Sequence, residues 1–289
     1  MRPAPFEYHR PTSTAEATRL LAAVPGARVL AGGQSLLPML ARRETTPEHL
    51  VDVSRVVGLD RLRRDQGGWT IGAAVRQRTL EFDESLAREL PLLRAAAQRV
   101  GHRQTRNRGT VGGSLCHLDP SAELVLAACA LEGVVTVGSV RGTREIAMRD
   151  FAIAPHRPAM GCDELLLSLR VEPWPGRHGH GFAELARRHA EWAIASAAVL
   201  MSLDGAGRID RVAVAVGGAY ATPRRLPALE AGLIGQRPED RAFDHASTLL
   251  PRDALRHDHH APADYRHQVA GAMVRRALHE AADGLAGTR

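Results

Sequence analysis

Apolar and polar positions along this chain fall into short blocks, some spaced as helices and others as strands, set apart by glycine and proline. Ala17, Leu20, Leu21 and Val24 form one helical stripe. Ser13 before it and Glu16 three residues later have the spacing of a capping box, and Pro25-Gly26 closes the segment. Residues 28–31 read as a short buried strand running into a glycine turn, after which 36–41 begin another helix. Strand patterns follow at 50–53 and 69–75, and 79–100 reads as helical with an interruption at Pro91. Residues 101–124 carry too many glycines and charges for one regular element and are expected to form a long functional loop. Within that stretch Asp119-Pro120 has the form of a helix start, carboxylate as N-cap and proline at the first helical position, with 122–131 carrying the helix.

Strand patterns return at 134–137 and 165–171. Pro173-Trp174-Pro175-Gly176 and the four residues after it break all periodicity, which sets an expected boundary between a first domain, 1–176, and a second, 177–289. Beyond it, 193–203 and 208–216 are apolar runs joined by Asp204-Gly205-Ala206-Gly207, a hairpin pattern. Helical segments are expected near 226–234 and from 263 to the C-terminus. The fold class is therefore α+β, with the glycine loops in the first domain.

Composition narrows the function. With 289 residues, 44% hydrophobic and 24% charged, the chain has the make-up of a soluble globular protein with a well-buried core. The net charge of +6 raises nucleic-acid binding as a possible class. All 38 basic side chains are arginine, however, and they are spread among alanine and leucine positions, so a general arginine bias accounts for the charge equally well. Cys116, Cys129 and Cys162 are far apart and contain no C-x-x-C, which encodes neither a disulfide framework nor an iron–sulfur ligand set. The first residues lack the apolar core of a secretion signal, and no apolar run reaches membrane-spanning length, so the expected location is the cytoplasm.

Candidate chemistry lies in two loops, AGGQS at 31–35 and TVGGS at 110–114. Each pairs glycines with small hydroxyl or amide side chains, so successive backbone N–H groups can converge on an anion that the missing Cβ atoms allow to come close. A dinucleotide pyrophosphate suits such a surface, with Ser35, Thr110 and Ser114 as further hydroxyl donors. Neither loop is G-x-G-x-x-G, and the absence of lysine excludes the lysine-containing P-loop motif. A tight turn alone explains a single Gly-Gly loop.

These loops sit in longer motifs. AGGQSLLPM at 31–39, RNRGTVGGS at 106–114 and HLDPSAEL at 117–124, with IGAA at 71–74, DELLLS at 163–168, Arg187-Arg188, VGGA at 216–219 and TPR at 222–224, resemble in content and order the FAD-binding medium subunits of the xanthine dehydrogenase and carbon monoxide dehydrogenase family, the molybdenum hydroxylases. The resemblance spans nearly the whole chain. It implies a PCMH-type FAD-binding domain of two α+β subdomains followed by a smaller α+β C-terminal domain. It also implies an electron-transfer subunit that takes electrons from an iron–sulfur small subunit and passes them to an external acceptor. The molybdenum cofactor would then lie in a large subunit and the 2Fe–2S clusters in the small one, making the unit a hetero-oligomer in which this chain does not act on the organic substrate alone.

On matching positions, the resemblance assigns Ala31, Gly32, Gly33, Gln34, Ser35 and Leu36, with Thr110, Gly112, Gly113 and Ser114, to the pyrophosphate and ribityl region. It assigns Glu123 to the adenosine ribose, a role that an acceptor-only carboxylate fills well, and Leu166 to the isoalloxazine, through side chain or backbone. Asp119 has two readings, helix cap or cofactor ligand. His117 is a loop histidine or a neighbour of the flavin, and Trp192 is either core or a stacking partner of the flavin ring. The chain departs from its relatives at Gln34, where many have His, at Leu118, where many have Gly or Ala, and at Ala190-Glu191-Trp192, where Gly-Asp-aromatic is usual. These departures bear on flavin potential and acceptor choice more than on flavin binding. The His257–His260 region, with His267 beyond it, is expected to be a solvated loop and not a metal site. Two other functions remain in view, a stand-alone FAD oxidase and an arginine-rich nucleic-acid module.

Overall fold

The structure, a computed structural model, describes residues 2–286. The chain begins with a small parallel sheet in the order Glu7–His9, His49–Asp52, Arg28–Leu30. Helix Thr14–Ala23 covers one face. Its Ser13 Oγ accepts from the Glu16 N–H at 3.2 Å, while the Glu16 carboxylate reaches back to the Thr12 N–H at 2.9 Å, one residue earlier than an ideal capping box. Ala17 and Leu21 are buried with Val51, Val53 and Leu165 in a small core of their own.

A second, antiparallel sheet follows in the order Leu62–Asp65, Gly68–Gly72, Leu165–Val171, Val134–Ser139, Gly142–Ala147. The segment expected to be one helix over 79–100 is three, Gln77–Phe82, Glu84–Glu89 and Pro91–Arg99, because Asp83 caps a fresh start through the Leu86 N–H and Pro91 begins another. Residues 101–124 are also more regular than expected. They contain helices Arg103–Arg108 and Val111–His117, so the long loop is largely two short helices joined at Gly109-Thr110.

The C-terminal sheet orders Gly179–Ala186, Ala193–Leu203, Ile209–Gly217 and Arg224–Arg225, all antiparallel. The hairpin expected at 204–207 is present, with Asp204 Oδ1 accepting from the Ala206 and Arg208 N–H groups. Residues 193–201 are buried without interruption, since the sheet is covered on both faces, and continuous apolar runs are what such strands require. Helix Ala263–Ala286 packs on one face through Val269, Ala270, Met273, Val274, Ala277, Leu278 and Ala281, an i, i+3, i+4 stripe. Helices Pro91–Arg99 and Glu123–Ala130 of the first half contact the other, and one core joins Ala96, Val125 and Leu126 to Ala198, Leu200 and Ala213. The last three residues of the helix expected to reach the C-terminus lie outside the described residues. Strand Gly179–Ala186 and helix Asp240–Thr248 had no expectation. Among the described residues, no helix is long and apolar enough to cross a membrane.

Candidate functional site

Strand Arg28–Leu30 ends in the turn 31–35, and helix Leu36–Arg42 leaves it. Gly33 has φ +74°, the left-handed region that glycine enters without strain. Among the described residues, the N–H groups of Gly32, Gly33, Gln34 and Ser35 find no acceptor, while the turn is braced from elsewhere: Leu37 N–H donates to Gly33 O at 3.1 Å and Gln34 Nε2 to Gly32 O at 3.2 Å. The Ser35 hydroxyl makes no capping bond. Four successive free donors in a turn form a concavity suited to anionic oxygens.

The second glycine loop is built differently. Thr110 is a buried N-cap whose Oγ1 accepts from the Gly113 N–H at 3.0 Å; Val111 N–H donates to Val75 O, Gly112 N–H to Ala73 O and Ser114 N–H to Thr110 O. All four amides are thus engaged within the protein, contrary to the expectation that they converge on an anion, and the Thr110 hydroxyl is committed as a cap. Gly112 is required by packing: a Cβ there would lie 2.6 Å from Ala73 Cβ and 2.8 Å from Ala73 O. The segment approaches the first loop directly, since a Cβ on Gly32 would fall 2.8 Å from Gly109 Cα and closer still to the Arg108 carbonyl oxygen. That same oxygen accepts from Arg76 Nη1, which brings an arginine to the junction of the loops. Sequence patterning missed Arg76, because only the tertiary pairing of 76 with 110 places it there.

From Ser114 the helix carries His117 toward Asp119 and His156. The His117 and His156 rings lie 4.8 Å apart, and His156 Nδ1 is 2.8 Å from the His117 carbonyl oxygen. Burial and the neighbouring His156 lower the His117 pKa below the usual imidazole range, against an upward pull from Asp119. Leu118 stands in the left-handed region with φ 48° and is fully buried. Asp119 is not the helix cap. Its Oδ1 accepts from the Ser121 N–H at 2.8 Å and the Ser121 hydroxyl at 2.6 Å, an Asx turn, and helix Glu123–Ala130 starts after Ala122 with no side-chain cap.

Glu123, in the first turn of that helix, makes no hydrogen bond or ion pair with another side chain among the described residues. Burial pushes its carboxyl pKa up to about 8, and Glu184 and Asp119 add to the rise. The carboxylate is half-buried and, among the described residues, is met only by its own backbone N–H, which leaves acceptor capacity for a ligand that donates hydrogen bonds. The structure thus strings together both glycine loops, Arg76, His117, Asp119 and Glu123.

Two expected residues stand apart from that line. Leu166 is buried in the main core, and a bulge between Leu166 and Ser168 turns the strand, leaving the Leu167 carbonyl to accept from Ala73 N–H. Its side chain therefore packs inside the protein. Trp192 is 68% exposed and precedes strand Ala193–Leu203, so it is not core. Its ring faces His260 at 6.4 Å, and His189 of the same loop faces His102 at 6.2 Å.

The sequence matches the family described as FAD binding domain in molybdopterin dehydrogenase over residues 4–174, and that described as CO dehydrogenase flavoprotein C-terminal domain over 180–281. This chain belongs to the FAD-binding medium subunits of the molybdenum hydroxylases. It is 35% identical to the nicotine 6-hydroxylase medium subunit of Paenarthrobacter nicotinovorans, covering 96% of this chain and 97% of that one. It is 34% identical to the carbon monoxide dehydrogenase medium chain of Afipia carboxidovorans, over 97% and 98% of the two. The fold superposes on a chain of carbon monoxide dehydrogenase from Hydrogenophaga pseudoflava with a TM-score of 0.94 at 32% identity, covering 98% of this chain and 99% of that one. FAD is the cofactor of the matched domain. The chain is one subunit of a multi-subunit oxidoreductase.

Proposed function

We propose that this subunit receives electrons from an iron–sulfur small subunit, that a molybdenum-binding large subunit carries out the substrate chemistry, and that the assembly works in the cytoplasm. The observation that carries the cofactor site is the row of free N–H groups at Gly32, Gly33, Gln34 and Ser35. These amides, with the Ser35 and Ser114 hydroxyls, hold the pyrophosphate and ribityl oxygens; Ala31 and Leu36 frame the turn, and Gly112, Gly113 and Thr110 act by holding the second loop against it. Arg76 offsets phosphate charge. Glu123 accepts from the adenosine ribose, while His117 and Asp119 line the path between. Leu166 contributes through its strand, and Trp192 offers an exposed ring for stacking.

Bound FAD supplies the redox chemistry, accepting electrons and releasing them to an external acceptor. The chain's own residues bind and orient it and set its electrostatic surroundings. The first domain ends at Gly176, within the irregular Pro173–Arg177 stretch that joins the second sheet to the C-terminal sheet. Free thiols at Cys116, Cys129 and Cys162 accord with a reducing compartment. The test is to co-express the chain with its genomic neighbours, purify by a tag on this subunit, and follow flavin reduction anaerobically with candidate N-heterocycles and aldehydes. Reduction is expected in the complex and not in the isolated chain. If the isolated chain reduces its own flavin as fast as the complex does, or no cluster-bearing partner co-purifies, a stand-alone oxidase takes the place of this reading.

A further inference from the structure

The parallel sheet at the N-terminus brings together two histidines and a carboxylate that the flavin site does not use. Glu7 and His9 lie two residues apart on the edge strand, so both project to one side of the sheet, and Glu7 is in register with His49 on the central strand. His9 Nε2 and His49 Nδ1 are 3.2 Å apart; Glu7 Oε2 is 3.4 Å from His49 Nδ1 and 4.0 Å from His9 Nε2. Bonds of about 2.0–2.1 Å to a tetrahedral ion place its ligand atoms about 3.3–3.4 Å from one another. Two of the three separations already meet that spacing. The third closes by a small rotation of Glu7, whose side chain is 74% exposed and free to turn, whereas the two imidazoles are about three-quarters buried.

The ligands are also held in place before any ion arrives. The Glu7 N–H donates to Glu48 O at 2.7 Å, and the ladder continues through Tyr8 with Leu50 and His9 with Val51. On the opposite face the Tyr8 hydroxyl donates to Asp52 Oδ2, a second tie between the same two strands. We infer that Glu7, His9 and His49 form a binding site for a divalent transition-metal ion of the zinc class, with three protein ligands and water in the exposed fourth position. Two imidazoles and one carboxylate suit zinc, cobalt or nickel, and too few oxygens are present for calcium or magnesium. A bound ion clamps the edge strand to the central strand, whose other neighbour, Arg28–Leu30, runs into the 31–35 turn.

The test titrates tag-free, FAD-loaded chain with Co(II), read by the visible d–d bands of a four-coordinate site, and with Zn(II) against a chromophoric chelator. One equivalent is expected in the parent, with a rise in unfolding temperature. Outer-shell changes alone weaken metal sites by roughly 10- to 100-fold, so loss of a ligand in His9→Gln, His49→Gln or Glu7→Gln is expected to do at least that. Glu7→Gln changes an exposed side chain and keeps the fold. The exposed histidines near the C-terminus are the competing source of binding, and His259→Gln/His260→Gln is expected to leave the Co(II) bands unchanged. No uptake by the parent, equal affinity in the His9→Gln/His49→Gln double variant, or loss of the bands in His259→Gln/His260→Gln would overturn the assignment.

Discussion

Gly32 and Arg108 meet backbone to backbone: the Arg108 carbonyl oxygen occupies the space that any Cβ at residue 32 would need. This contact joins the turn that offers free amides to the segment whose amides at residues 111–114 are all engaged. Gly32→Ala must push the two apart, which costs about 1–3 kcal/mol, the usual penalty of overpacking. It is expected to lower both flavin content and the unfolding temperature of the apo chain. Gly112→Val, which an open-loop reading would treat as a binding change, is expected to act the same way because Ala73 stands behind it. Ser114→Ala separates the effects, lowering flavin affinity about tenfold with little change in stability. Flavin absorbance and apo thermal unfolding, measured together, decide each case.

Glu123 gives a pH signature. Its carboxyl titrates near 4.5 when unfolded and at about 8 when folded without a partner, so the folded chain holds an additional proton between these values. The corresponding stability is full below pH 4.5 and is lost as pH rises toward 8. Glu123→Gln in the apo chain is expected to flatten this decline. Above pH 8, where the carboxyl is ionised, the same variant should weaken FAD binding by about 10- to 100-fold, the loss of hydrogen bonds to a charged acceptor. Unfolding curves across pH 4–9 and a flavin titration test both outcomes.

Asp258 has the opposite sign. Burial would raise its pKa, but bonds from Arg266 and from the His260 and Ala261 N–H groups, with Arg256 nearby, hold it well below the usual carboxylate range. Its contribution is present above about pH 4 and is lost as pH falls. Arg266 is 1% exposed and also donates to Ile194 O at 2.7 Å and Gly218 O at 2.9 Å. Asp258→Ala, which leaves this buried cation without its carboxylate, is expected to cost about 3–5 kcal/mol in denaturant unfolding.

Trp192 is exposed, so Trp192→Ala should change unfolding stability by no more than about 0.5 kcal/mol. If its ring stacks on the flavin, removing it raises flavin fluorescence in the holo chain. Unchanged fluorescence would place the ring outside the site.

Local chemistry made much of this protein legible from its residues. Pro25-Gly26, the 204–207 turn and the stripe of the last helix act over a few residues, and the motifs around 31–39 and 106–124 are contiguous enough to mark the family. What happens at each glycine was not legible. Gly32 and Gly112 look alike in sequence, yet one lies in a turn with free N–H groups and the other donates to Ala73, because hydrogen-bond partners come from strands distant in the chain. Asp119-Pro120 has every local feature of a helix start, but Ser121 captures the carboxylate and the helix begins later. The same reason hid Arg76, the exposure of Trp192, and the meeting of His9 with His49: local spacing sets what a segment can form, and only tertiary pairing across the sheets decides which donors remain free and which side chains share a point in space.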